Sequence, residues 1–197
     1  LQKYISDEFG EQAIKVLDVG CGEGYYSSNL TDSNLAIYGV DISKSAVTLA
    51  AKVYSQLKLA VASSFKLPYL DQSFDFVFCI FSPYSISEIA RVLKPGGEFM
   101  IVDPNPNHLA GFSEAVLGKF KPHAGNHSQL TESTELLLVS ETGINFKIAL
   151  ENSVDIQNLL TMTPYFWRVN AEQRAIVDSL NQLKTSIDFG VHILKKI

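Results

Sequence analysis

The sequence predicts an α/β fold: a mostly parallel sheet with helices on both faces. Apolar runs rich in β-branched and aromatic residues, Val16 to Val19, Leu35 to Asp41 and Phe74 to Ile80, alternate with helix-compatible segments. That alternation is expected of parallel strands joined by crossover helices. The first run also ends in three glycines at alternate positions, Gly20, Gly22 and Gly24, and the second ends in an acid, Asp41. Strand, tight turn, helix, strand and carboxylate is the order of a nucleotide-binding α/β domain.

The chain has 197 residues, 46% of them hydrophobic, enough for one well-buried core and not comfortably two. A single domain over residues 1–197 is expected. No apolar span reaches the ~18 residues a membrane helix needs, and no charged-then-apolar leader opens the chain. A soluble, cytoplasmic protein with no membrane partner is therefore expected. Cys21 and Cys79 form no C-x-x-C pair, which fits a reducing compartment. The net charge of −5 lacks the basic footprint of a self-sufficient nucleic-acid binder. Lys119 with Lys121, and Lys195 with Lys196, read as solvated surface. The first residue is Leu rather than Met, so a preceding N-terminal region is expected.

The spacing of the glycine turn disfavours NAD and FAD, although a glycine-rich turn alone can be an ordinary tight loop. A dinucleotide fingerprint G-x-G-x-x-G needs a glycine at position 25, where Tyr25 stands. Counting from Asp18, the run is instead D-x-G-x-G-x-G, which resembles the cofactor loop of class I S-adenosylmethionine-dependent methyltransferases. Asp41 strengthens the resemblance, because a carboxylate there can accept hydrogen bonds from both ribose hydroxyls. The resemblance implies S-adenosyl-L-methionine as cofactor, with Asp18, Gly20, Gly22, Gly24 and Asp41 among its contacts. It also implies a Rossmann-like sheet of seven strands, the last inserted antiparallel between the fifth and sixth.

Residues 1–12 carry Leu1, Tyr4, Ile5 and Phe9 at helical spacing. Ile42 to Tyr54 reads as a serine-capped crossover helix, and Leu57 to Ala62 as the third strand. Many class I methyltransferases place an acid after that strand to accept from the adenine amino group. Ser63 stands at the matching position here with Ser64 beside it, and a serine hydroxyl can accept the same bond. The fourth strand ends in Phe81-Ser82-Pro83. Ligands sit beyond the carboxyl ends of parallel strands, so Phe81 is expected beside the cofactor, with Ser82 and Pro83 towards the methyl acceptor. The Asn/Asp-Pro-Pro-aromatic run of exocyclic-amine methyltransferases is missing, which points to another kind of target.

Ser85 to Leu93 reads as a helix stopped at Lys94-Pro95-Gly96-Gly97, and Glu98 to Asp103 as the fifth strand. Residues 104–145 break the alternation and are expected to be a substrate-side insertion. His123 and His127 within it are four apart, but Pro122 and Gly125 oppose a regular helix and no carboxylate or cysteine lies near in sequence, so no metal is expected. Asn145 to Asn152 reads as the sixth strand, Val154 to Met162 and Ala171 to Leu183 as helices, and Ile187 to Ile197 as the last strand.

Several runs together resemble the bacterial 23S rRNA (guanine-N1)-methyltransferases: Leu17 to Tyr26, Val61 to Ser64, Ala90 to Gly97, Met162-Thr163-Pro164-Tyr165-Phe166-Trp167-Arg168, and Asp188 to His192. The Met-Thr-Pro-x-x-Trp-Arg run is the specific one. That resemblance implies ribosomal RNA as partner and a preceding cysteine-rich zinc module that this chain does not contain. Trp167 is expected to stack on a base and Arg168 to meet a phosphate or stack itself, while Tyr165 and Phe166 read as core. Guanine N1 carries a proton at neutral pH, so Asp103 and His108 are the candidate acid–base residues. Either can instead cap the helix that follows. A small-metabolite methyltransferase of the quinone-precursor type and a non-catalytic cofactor-binding protein remain alternatives, and a homodimer is left open.

Overall fold

The computed structural model describes residues 1–123, 130 and 133–197. Among them, β1 (Ile14–Val19), β2 (Leu35–Asp41), β3 (Lys58–Val61), β4 (Phe74–Ile80), β5 (Leu93–Pro104), β6 (Leu136–Leu150) and β7 (Leu183–Lys196) form one sheet in the order β3-β2-β1-β4-β5-β7-β6. The pairs β1–β2, β1–β4, β2–β3 and β4–β5 are parallel. β7 runs antiparallel to both β5 and β6. This is the seven-stranded class I methyltransferase sheet expected from the sequence.

Strand order reverses between β1 and β4, because the chain runs outward through β2 and β3 before returning. At such a switch point the loops beyond the two carboxyl ends diverge and leave a crevice. Side chains of β1 and β4 alternate between the two faces. Ile14, Val16, Phe76 and Phe78 pack with Ile5 of α1 (Gln2–Phe9). Leu17, Val19, Val77 and Cys79 pack with Ile89 and Ala90 of α4 (Ile86–Val92). Strands covered on both faces read as the continuous apolar runs seen in the sequence. Phe74, Phe76, Phe78 and Phe99 are fully buried, each contributing roughly 1.5–3 kcal/mol by area.

The chain divides into two compact units. The first holds residues 1–103, β6 as far as Thr142, and Val191–Ile197. The second holds residues 104–123 and Gly143–Gly190. Its core joins Leu109, Phe112, Val116, Ile156, Leu160, Val177 and Leu183, drawn largely from α5 (Ala110–Leu117), α6 (Ser153–Thr161) and α7 (Ala171–Ser179).

Four boundaries differ from the sequence expectations. α5 was expected only as a helix, without bounds, that Asp103 or His108 could cap; neither side chain caps it, since Leu109 begins it at φ 56°, and Phe112 and Val116 bury its apolar face. β5 starts at Leu93 rather than Glu98, and its register against β4 slips between Phe74 and Phe76, so that Lys94 to Gly97 bulge out with Gly96 at φ 76°. β6 starts at Leu136, nine residues before the expected 145. α7 stops at Ser179 as Leu180 turns extended, and Leu183 opens β7 as a buried residue. Core burial of Leu183 prevails there over the helical spacing of the sequence.

Candidate cofactor and active site

β1 delivers its glycine turn onto the end of β2. The Gly20 and Cys21 amides donate to the Val40 carbonyl at 2.8 and 3.0 Å, and Gly24 N–H donates to Cys21 O at 2.8 Å. Gly20, Gly22 and Gly24 have φ of 80°, 52° and 81°, the left-handed region that side-chain-bearing residues rarely adopt. Space around Gly22 is open where a Cβ would stand. Gly24 caps the short α2 (Tyr25–Ser28).

Asp41 ties this turn to the next helix. Its Oδ2 accepts from Gly22 N–H at 2.9 Å and its Oδ1 from Ser43 N–H at 2.7 Å. Ser43 in turn caps α3 (Lys44–Val53), accepting from Ala46 N–H. Each carboxylate oxygen has a second lone pair for a hydroxyl donor. Asp18 lies beneath, buried, with the Ser27 hydroxyl donating to its Oδ2 at 2.6 Å. Burial pushes its carboxyl up to about 7; the Ser27 bond opposes that shift and Asp41 adds to it.

The facing wall is the end of β4. Phe81 has φ 57°, a strained backbone for a bulky side chain, and donates its amide to Val102 O at 3.0 Å. Cys79 Sγ–H donates to the Ser82 carbonyl at 3.1 Å. The Ser82 side chain lies directly over Gly20, where a Cβ would fall on its hydroxyl.

One cleft therefore brings together Gly20, Asp41, Ser63, Ser64, Ser82 and Pro83, the order-reversal crevice of the sheet. Val40, Ile42, Ala62 and Phe65 also line it and were not singled out from the sequence. Ile42 and Phe65 are 78% and 63% exposed, and each directly follows a polar cleft residue beyond a strand end; that position is the signal that could have found them. Ser63 Oγ already accepts from Phe65 N–H at 3.2 Å, leaving one lone pair and its own hydrogen. Gly22, Gly24, Asp18 and Phe81 support the cleft without lining it.

Asp103 ends β5 and is buried. It lies close enough to Tyr84 and Cys79 to add to the rise that burial imposes on both groups. In the second unit, His108 stacks on Phe189 with ring centres 4.6 Å apart, and its Nδ1 accepts from Asp188 N–H at 3.4 Å. Burial first, and then His123, hold its pKa down at about 4. It is neutral at physiological pH, and with Nδ1 accepting, the ring hydrogen sits on Nε2. His123 donates its amide to Pro106 O; His127 lies outside the described residues. Among the described residues no three His, Cys, Asp or Glu are grouped to hold a metal.

Pro164–Trp167 form a single 3-10 turn after α6. Tyr165 packs on Phe112 and Phe166 joins the same core. Trp167 is 85% exposed and Arg168 is exposed too. No helix among the described residues is long and apolar enough to cross a membrane.

A left-handed glycine turn with open space over Gly22, a carboxylate with free lone pairs and an apolar-walled cleft fit an adenosine-bearing cofactor. The methyltransferase domain family matches residues 11–156. YxjB of Bacillus subtilis, whose assignment as a 23S rRNA (guanine-N1)-methyltransferase is provisional, is 25% identical over 93% of this chain and 67% of its own. The 23S rRNA (guanine(748)-N1)-methyltransferase of Streptomyces fradiae is 26% identical over 89% of this chain and 65% of its own. A demethylmenaquinone methyltransferase of Bacillus velezensis is 30% identical over 56% of this chain and 54% of its own. The chain thus spans about two thirds or less of these relatives. Among solved structures, an S-adenosylmethionine-dependent methyltransferase from Methanosarcina mazei superposes with a TM-score of 0.65, 19% identity and coverage of 100% of this chain and 98% of its own. The cleft, the fold and the family match agree: the chain belongs to the methyltransferase domain family, with S-adenosylmethionine as its cofactor.

Proposed function

We propose that this chain is the catalytic domain of an enzyme that methylates N1 of a guanine in 23S ribosomal RNA, acting in the cytoplasm. The observation that carries this reading is Trp167, an indole left in solvent at the end of the run Met162 to Arg168, when the rings before it are taken into the core. An exposed indole beside a cation suits an unstacked base and its phosphate. The extent of similarity supports the same reading: the two RNA-methylating relatives align over 93% and 89% of the chain, the menaquinone relative over 56%.

S-adenosylmethionine supplies a methyl group made electrophilic by its sulfonium. The chain's part is to hold and align. In this reading Asp41 accepts from the ribose hydroxyls, Ser63 and Ser64 bond the adenine edge, and the Gly20–Gly24 turn gives backbone access with Asp18 beneath it. Ser82 and Pro83, next to Phe81 in sequence, wall the cleft at the end of β4 and exclude water, which favours in-line displacement through alignment and desolvation. Trp167 stacks the guanine and Arg168 neutralises a phosphate. The N1 proton passes to the Asp103 carboxylate, while His108, whose Nε2 carries hydrogen, donates a hydrogen bond instead of accepting the proton.

The net charge of −5 and the 30% identity to a demethylmenaquinone methyltransferase favour a second reading, methylation of a small quinone-type acceptor. The full-length protein incubated with labelled cofactor and either 23S RNA or a panel of quinone precursors separates the two. Formation of 1-methylguanosine in digested RNA is expected. Turnover of a quinone precursor with unmodified RNA overturns the proposal, and cofactor binding without transfer to either overturns both readings.

A further inference from the structure

α4 carries a charged pair whose bonds leave the helix. Arg91 Nε donates to Glu88 Oε1 at 2.8 Å; Nη2 donates to Glu88 Oε2 at 2.9 Å and to the Leu67 carbonyl at 3.1 Å. Nη1 donates to the Tyr69 carbonyl and to Asp71 Oδ1, both at 2.8 Å. A guanidinium has five N–H donors, and these five bonds use every one. Glu88 Oε2 accepts in addition from Leu67 N–H at 2.7 Å. The helix end continues the attachment through its backbone, with Gln72 and Ser73 amides on the Arg91 and Val92 carbonyls at 2.9 and 2.8 Å.

What these bonds hold is the irregular segment between β3 and β4. Its first part, Ser63, Ser64 and Phe65, is one wall of the cofactor cleft. The residues gripped by Arg91 and Glu88 follow at once. Inside the wall the bonds are short-range only, Phe65 N–H to Ser63 Oγ and Lys66 N–H to Ser63 O. Leu67 and Tyr69 anchor its far side, Leu67 buried and Tyr69 edge-on to Phe74 at 4.9 Å. A segment already ordered before binding costs less to order when the ligand arrives.

We propose that Arg91, braced by Glu88, is a positioning residue that presets the Ser63–Phe65 wall for S-adenosylmethionine. Arg91 lowers the Glu88 carboxyl below its usual range, chiefly by hydrogen bonding, and Glu88 raises Arg91 in return, so both stay charged across the neutral range. Lysine can substitute only in part, because an ammonium is a point donor without the planar fork that reaches two carbonyls and two carboxylates together. The inference rests on the cofactor assignment alone and is independent of the methyl acceptor.

The test compares wild type, Arg91→Ala, Arg91→Lys and Glu88→Gln by calorimetric titration with S-adenosylmethionine and by amide hydrogen exchange. Wild-type binding checks the cofactor assignment itself. Arg91→Ala is expected to bind about tenfold more weakly or worse, and Arg91→Lys in between. Amides of residues 63–70 exchange faster in both, those of β1 and β4 keep their protection, and bound cofactor restores the loop. Folded Arg91→Ala with wild-type affinity, or loosening shared equally by β1 and β4, overturns the proposal. If Arg91→Ala does not fold, Glu88→Gln decides: an affinity loss of roughly threefold or more is expected from one lost charge-assisted acceptor, and wild-type affinity overturns the assignment.

Discussion

The Ser82 side chain stands where a side chain on Gly20 would have to be. The two residues close the first turn of β1 against the end of β4, and each limits the other. Gly20→Ala adds a methyl at φ 80° and drives it into Ser82, so a loss of about 1–3 kcal/mol in stability is expected, together with cofactor binding. Ser82→Gly in the same chain removes the collision but not the left-handed strain. Urea denaturation of the two single variants and the double variant should show partial recovery in the double. Additive losses would mean that the two side chains do not share that space.

On the proposed reading Asp41→Ala removes the ribose acceptor; it also releases the Gly22 and Ser43 amides. Affinity for S-adenosylmethionine should fall by about 1.5–3 kcal/mol, or tenfold to a hundredfold. Asp41→Asn keeps one oxygen for Gly22 or Ser43 and should lie between. Calorimetry showing unchanged affinity in Asp41→Ala removes that residue from the site.

The glycine turn and Asp41 were legible in the sequence because they answer local backbone demands: left-handed φ at three alternate positions and an acid at a strand end. Asp18 was legible as part of the motif, though its burial beneath the turn was not. Ile42 and Phe65 were missed because an exposed apolar residue in a loop carries no pattern of its own. β6 was read nine residues short because Ser140-Glu141-Thr142-Gly143 is polar on both faces and shows no alternation. Arg91 appeared only as one letter in a familiar helix-and-turn run; its five bonds reach 3 to 24 residues away, which no local spacing records. The bounds of α5 were obscured by Gly111, a poor helix former that is needed there because a Cβ would strike the Lys184 carbonyl.

Asp18 makes stability depend on pH in a definite direction. Burial pushes its carboxyl up to about 7, so the folded protein keeps a proton that the unfolded chain gives up near pH 4. That contribution is complete below about pH 4 and is lost as pH rises through 7, with a slope of up to about 1.4 kcal/mol per pH unit. Asp18→Asn still accepts from Ser27 and cannot ionise. The melting temperature of the ligand-free variant should therefore gain on wild type steadily from pH 4 to 7 and hold a constant lead above. Parallel curves across that window would show that Asp18 is not the group responsible.

On the proposed reading, replacing Trp167 separates substrate binding from stability and cofactor binding. At 85% exposure its removal should change stability by no more than about 0.5 kcal/mol, and cofactor affinity should stay at the wild-type value. Loss of a stacking face worth ~1–3 kcal/mol should lower single-turnover methylation of 23S RNA by about tenfold to a hundredfold at limiting RNA. Arg168→Ala should act differently: a lost phosphate contact reduces the slope of log affinity against log salt by about 1, with a smaller effect at high salt. The measurement is RNA binding and single-turnover methylation of the full-length protein and both variants over a salt series. A Trp167→Ala enzyme that methylates RNA at the wild-type rate would leave the indole exposed for some other partner, and the guanine-stacking role would have to be given up.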